Sequence, residues 1–86
     1  MSMRNYNDEE YRKFRISVLK RDKFKCRMPE CGSKRNLNVH HIQTWARASS
    51  LRYEPANGIT LCRYCHKSIN GKEHHYENLF RKIIDG

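Results

Sequence analysis

Val39-His40-His41-Ile42, Pro55-Ala56-Asn57-Gly58 and Ile59-Thr60-Leu61-Cys62-Arg63-Tyr64-Cys65-His66 are the segments that decide the fold of this chain. Residues 39–66 hold three histidines, two cysteines and one turn asparagine within 28 positions. Imidazole and thiolate are strong ligands for borderline metal ions, and a neutral imidazole is also a ready proton acceptor. The first segment, with Leu37 and Asn38 before it, reads as a short strand. Pro, Asn and Gly mark the turn, and Ile59-Thr60-Leu61 reads as a second strand. The pattern predicts a hairpin whose long connection lies over the surface, followed by a short helix from about residue 63 to residues 70–71, where Gly71 stops it.

Working outward, Cys62-Arg63-Tyr64-Cys65 has a partner upstream in Cys26-Arg27-Met28-Pro29-Glu30-Cys31-Gly32. Pro29 and Gly32 favour the tight turn that lets two sulfurs face one ion, and two such pairs suit a tetrahedral four-thiolate zinc site. Disulfides or redox thiols are the competing use of the four. Plain zinc ribbons separate their pairs by about 15 to 20 residues. Here 30 residues lie between Cys31 and Cys62, so the hairpin is built into the loop. Its polar connector, residues 44–54, carries Trp45 and Tyr53; Trp45 is read as packing, with stacking on a base as the sharper use.

The flanks read as helices. Asn7 with Glu10 fits a capping box, and Asp8, Glu9 and Glu10 suit the positive end of a helix dipole. Tyr11, Phe14, Val18 and Leu19 recur at helical spacing, so a helix over about residues 8–21 packs this stripe on the metal-bound body and leaves a basic face in solvent. Residues 1–6 form a tail and residues 24–70 the core. A last helix over about residues 73–84 shows Tyr76, Leu79, Phe80, Ile83 and Ile84 on one face. His74 and His75 on that helix have no partner motif and are read as solvated or phosphate-contacting.

A single domain of 86 residues buries only about 60% of its unfolded surface. With 37% hydrophobic residues and a mean hydropathy of −1.00 its core is thin, and a metal staple compensates for that. Eighteen Lys and Arg against nine Asp and Glu give a net charge of +9, which calls for a polyanionic partner. The basic residues are scattered along the chain, which favours nucleic acid over an acidic membrane surface. No apolar run approaches the ~18 residues of a membrane span, and the N-terminus lacks a secretory core, so a reducing cytoplasm is expected.

The order of double His, Asn and Cys-x-x-Cys-His, with a paired cysteine upstream, resembles the HNH endonucleases, the ββα-metal or His-Me finger fold. The resemblance spans roughly residues 14–73 and extends to Asn57-Gly58-Ile59-Thr60-Leu61-Cys62 and Gly71-Lys72-Glu73, which look like the small phage-type and homing-type members. It implies an α+β, zinc-stapled core with flanking N- and C-terminal helices. It also implies a metal-dependent phosphodiester hydrolase acting on DNA by nicking or double-strand cleavage, in a bacterial or phage-infected cell. His41 matches the general base. His40 and His66 match the ligands of a catalytic divalent ion (Mg2+, Mn2+, Ni2+ or Zn2+), and Asn57 the residue that fixes the strand and loop presenting the base. Cys26, Cys31, Cys62 and Cys65 are the structural zinc ligands, and Arg47, Arg52, Arg63, Lys67 and Lys72 are candidate phosphate contacts. The partner expected is DNA read with little sequence specificity by a monomer or weak dimer, with targeting supplied by another protein.

Elementary chemistry agrees with these roles. An imidazole with an unperturbed pKa of ~6.5 takes the proton of an attacking water at physiological pH. Asn57 or a backbone carbonyl, accepting from its other ring nitrogen, would fix the tautomer. A divalent ion neutralises the phosphate and the departing 3′ oxygen. Neighbouring strand residues point to opposite faces, however, so either the strand twists or bulges at His40-His41, or the phosphate lies at its edge between them. The alternative function is a zinc-ribbon module that grips nucleic acid without cutting it.

Overall fold

The computed structural model describes residues 9–43 and 53–85. The Asn7–Glu10 capping box and the side chains of Trp45, Arg47 and Arg52 therefore fall outside the described residues. The elements run α1 (Glu9–Arg21), β1 (Leu37–His41), a 3-10 turn (Pro55–Asn57), β2 (Gly58–Cys62), α2 (Arg63–Ser68) and α3 (Glu73–Asp85). This is the small α+β architecture expected from the hairpin and the flanking periodicities. No helix among the described residues is long and apolar enough to cross a membrane.

Glu9 and Glu10 lie in the first turn of α1 and Lys20 and Arg21 in its last, each at the dipole end that favours its charge. Phe14, Val18 and Leu19 are buried. The helix ends without glycine: Lys23 and Phe24 take left-handed φ of 58° and 55°, and Phe24 N donates to Leu19 O at 2.8 Å. This turn reverses the chain and carries Cys26 and Arg27 along the outer edge of β2, where Cys26 N donates to Ser33 O and Arg27 N to Thr60 O.

β1 and β2 pair antiparallel in unbroken register, Leu37 opposite Cys62, His40 opposite Ile59 and His41 opposite Gly58. All five residues of β2 are buried, because helices cover both faces of the hairpin. On one face Ile59 and Leu61 meet Ile69 and Phe80, joined by Cys26, Ile42, Cys62 and Cys65, with Tyr76, Ile83 and Ile84 packed around them. On the other face lies α1. Gly58 is required there: a Cβ would stand 2.8 Å from Cγ2 of Val18 and 2.9 Å from Cζ of Phe14. Leu79 departs from the expected α3 stripe. It is 37% exposed, because the buried line follows Tyr76, Phe80 and Ile83 and leaves Leu79 at its margin.

Candidate functional site

The four cysteines converge. Their sulfurs all lie within 4.8 Å of one another, with Cys26, Cys62 and Cys65 buried and Cys31 at the surface. Two local turns build the cluster. In the first, Cys31 N donates to Met28 O at 3.0 Å while Glu30 and Gly32 adopt left-handed backbone. In the second, Cys62 caps α2 and its Sγ accepts from Cys65 N at 3.5 Å. That N–H pulls the Cys62 thiol down, whereas burial pushes Cys26 and Cys65 up. A dication bound among the sulfurs would override the burial effect by stabilising thiolate charge. Four thiolates forming a closed set positioned for one metal ion suit zinc in a structural role.

The two strand histidines part company. His40 is 6% exposed and turns toward α2 and α3, its ring centroid 5.5 Å from that of His66 and 5.7 Å from that of Phe80, edge to face in each case. Its Nε2 is buried with no hydrogen-bond partner among the described residues. Burial, reinforced by the neighbouring His66, lowers His40 to about 4, so the imidazole is neutral at neutral pH. A buried, neutral, unpartnered imidazole nitrogen beside a second imidazole is a donor set that a divalent ion would satisfy. His41 turns the other way and stacks on Phe14 of α1, with centroids 5.0 Å apart and planes 15° from parallel. With register unbroken through both residues, the strand does not bulge. Both rings are therefore reachable together only from an edge of the sheet. The outer edge of β2 is occupied, since Thr60 N donates to Asp22 and Thr60 O accepts from Arg27 N. Among the described residues β1 has no third strand beside it.

Asn57 closes the end of the hairpin. Its side chain is 1% exposed; Oδ1 accepts from Gln43 N at 2.9 Å and Nδ2 donates to Gln43 O at 3.1 Å, while its backbone oxygen accepts from Ile42 N at 2.8 Å. The chain just past His40 and His41 is thus held at three points by one residue. Gln43 in turn donates to Glu77 of α3 at 2.9 Å.

Two contributors were given no role by the sequence reading. Glu73, at the start of α3, lies within electrostatic range of both His40 and His66. Its carboxylate is held below the usual range, first by its own backbone N–H and also by that of Gly71 and by the two imidazoles. Asp22 is 2% exposed and was hidden in a run of charges; it accepts from Arg21, Arg27 and Thr60. Of the candidate phosphate contacts, Arg63, Lys67 and Lys72 are exposed, the first two on α2 with the exposed His66 and with Tyr64, itself 79% exposed. His74 and His75 are exposed, and His74 lies 3.8 Å from Glu77.

Neither a curated protein nor a solved structure matches the chain. The family model for the HNH endonuclease matches residues 26–72, more than half of the 86, from the first knuckle cysteine to the turn before α3. The sulfur cluster, the β1–β2 hairpin with its paired histidines, the asparagine turn and α2 all fall inside that span, and this chain belongs to the HNH endonuclease family.

Proposed function

We propose that the protein is a zinc-stapled endonuclease that hydrolyses DNA phosphodiester bonds with His41 as the general base. The observation that carries this reading is the divergence of the consecutive histidines, which leaves the buried Nε2 of His40 beside His66 on one face and His41 on the other. Membership of the family supports a nucleic-acid substrate, and the net charge of +9 supports affinity for it.

His40 and His66 would hold the catalytic divalent ion, with the Glu73 carboxylate adding negative charge nearby. When bound, such an ion supplies charge neutralisation at the phosphate and at the 3′ oxygen. The phosphate approaches at the edge of β1 that no strand among the described residues covers, between the two rings. His41 takes the proton of a water as its oxygen attacks phosphorus, and the P–O3′ bond breaks. Asn57 keeps β1 and the following loop in place during this step through its grip on Gln43. Arg63 and Lys67 on α2, with Lys72 and with Arg47 and Arg52 of the connector, neutralise flanking phosphates. Binding is salt-steep and tolerant of sequence, because a hairpin and short helix present few side chains to base edges. The four cysteines hold zinc in a structural role.

The competing reading, a zinc-ribbon module that binds without cutting, accounts for the sulfur cluster and the charge, but gives no use to the orphaned nitrogen of His40. Incubating the protein with supercoiled plasmid, with and without a divalent ion, separates the two. Metal-dependent nicking that His41→Ala abolishes supports the nuclease; binding with no nicking under any ion supports the module.

A further inference from the structure

The family match begins at residue 26, so α1 lies wholly outside it. Yet α1 touches both parts that present the base. Phe14 stacks on the His41 ring, and Arg21 reaches across 34 positions to the asparagine turn. We infer that α1 is a positioning element for the base: Phe14 fixes the plane of the His41 imidazole, and Arg21, locked to the buried Asp22, clamps the turn that carries Asn57. This rests on the proposed role of His41.

The clamp is specific in its geometry. Arg21 donates from Nη1 to Pro55 O at 2.9 Å and from Nη2 to Gly58 O at 2.7 Å, so the two carbonyls that bracket Asn57 are held by one guanidinium. Gly58 is also the residue paired with His41 across the sheet. The same guanidinium is oriented by a two-point contact with Asp22, Nε to Oδ1 at 2.8 Å and Nη2 to Oδ2 at 2.9 Å. Asp22 spends its remaining capacity on Thr60 N at 2.9 Å and on Nη1 of Arg27, whose Nη2 donates to Ile83 O at 3.1 Å. The carboxylate is buried and its acceptors are occupied, so it fixes Arg21 instead of following it. Immediately after Asp22, two non-glycine residues, Lys23 and Phe24, adopt left-handed backbone, which L-residues with a Cβ take only at a cost. Strain of this kind persists where the surroundings over-determine the conformation.

A lysine at position 21 keeps one positive charge near Asp22, but its single nitrogen cannot reproduce the fork that spans Asp22, Pro55 O and Gly58 O. Leucine at position 14 keeps apolar contact with the sheet and loses the flat face. Both changes leave the sulfur cluster, His40, His66 and the exposed basic residues untouched.

The test uses the full zinc-loaded chain on supercoiled plasmid with Mn2+, comparing wild type with Arg21→Lys, Phe14→Leu and His41→Ala for kcat, KM, zinc content, melting temperature and pH profile. In Arg21→Lys, assayed well below its lowered melting temperature, kcat falls roughly 10- to 100-fold while KM and zinc content hold, as displacement of a reacting group requires. Its pH profile keeps the wild-type midpoint at a lower plateau. Phe14→Leu loses about tenfold in kcat with KM unchanged. The inference is overturned if both variants stay within about twofold of wild type in kcat. It is equally overturned if kcat falls only in step with melting temperature and zinc content, since the contacts then serve stability alone. Should wild type fail to nick, or His41→Ala nick as well as wild type, the nuclease reading fails first and takes the inference with it.

Discussion

β1 has two faces, and consecutive histidines take one each. The His40 face is closed: the ring is buried against His66 and Phe80, and its Nε2 has no hydrogen-bond partner among the described residues. The His41 face is assembled from outside the hairpin, with Phe14 of α1 against the ring and Gly58 allowing the helix to come close. The simple alternation of a strand has thus placed two chemically identical side chains in unlike surroundings, one suited to holding an ion and the other to moving a proton. The proposed metal ligand needs a site made by burial; the proposed base needs one made by orientation.

The largest expected effect abolishes the comparison altogether. Cys62 ends β2 and, with Cys65, begins α2, so the sulfur cluster anchors the strand behind both faces and the helix that carries His66. Structural zinc contributes on the order of 10 kcal/mol in apparent terms, against a total stability of about 5–15 kcal/mol for a domain. Strong chelation, or Cys65→Ser, is expected to unfold the chain, read by far-UV circular dichroism and a melting curve. An unchanged melt after chelation breaks the account at its foundation.

A smaller change separates the faces. Gly58→Ala places a methyl group into Phe14 and Val18 and leaves His40, His66 and the cysteines alone. Overpacking of this kind costs up to about 3 kcal/mol. Nicking is expected to fall while Mn2+ affinity, measured by titration calorimetry, stays at the wild-type value. A parallel loss of Mn2+ affinity would show that the faces are not independent.

Titration sharpens the difference further. His40 is lowered to about 4, chiefly by burial. A histidine whose folded value lies below its unfolded value of ~6.5 contributes stability that is whole above pH ~6.5 and is lost as pH falls toward the folded value. Urea unfolding of the zinc-loaded chain, without other divalent ions, should lose about 2 kcal/mol more between pH 7 and pH 5 in wild type than in His40→Gln. Equal losses would mean that His40 is not held neutral by its surroundings.

Much of this was legible because its signals are local. Knuckle spacing placed the cysteines, turn residues placed the hairpin, and the spacing of Phe14, Val18 and Leu19 marked the buried stripe of α1. The direction of each histidine followed from alternation only once the register was known to run unbroken. The contacts that matter most for the proposed base were not legible. Asp22 stands among Arg21, Lys23 and Lys25 and reads as solvated charge, yet its carboxylate binds Thr60 N, 38 positions away. Phe14 reads as core, and only the fold shows that its ring faces an imidazole. Leu79 was misplaced because helical spacing marks a stripe without fixing its margin.

The most direct measurement is the plasmid nicking rate of wild type, His41→Ala and His66→Ala across a Mn2+ series at fixed pH, with zinc content checked in each. His41→Ala should keep its fold and DNA binding and lose roughly 10² to 10⁴-fold in rate, with no recovery at high Mn2+. His66→Ala should regain part of its loss as mass action fills the weakened site. A His41→Ala variant that nicks at near the wild-type rate, or that added Mn2+ rescues as well as it rescues His66→Ala, contradicts the division of labour between the two faces of β1.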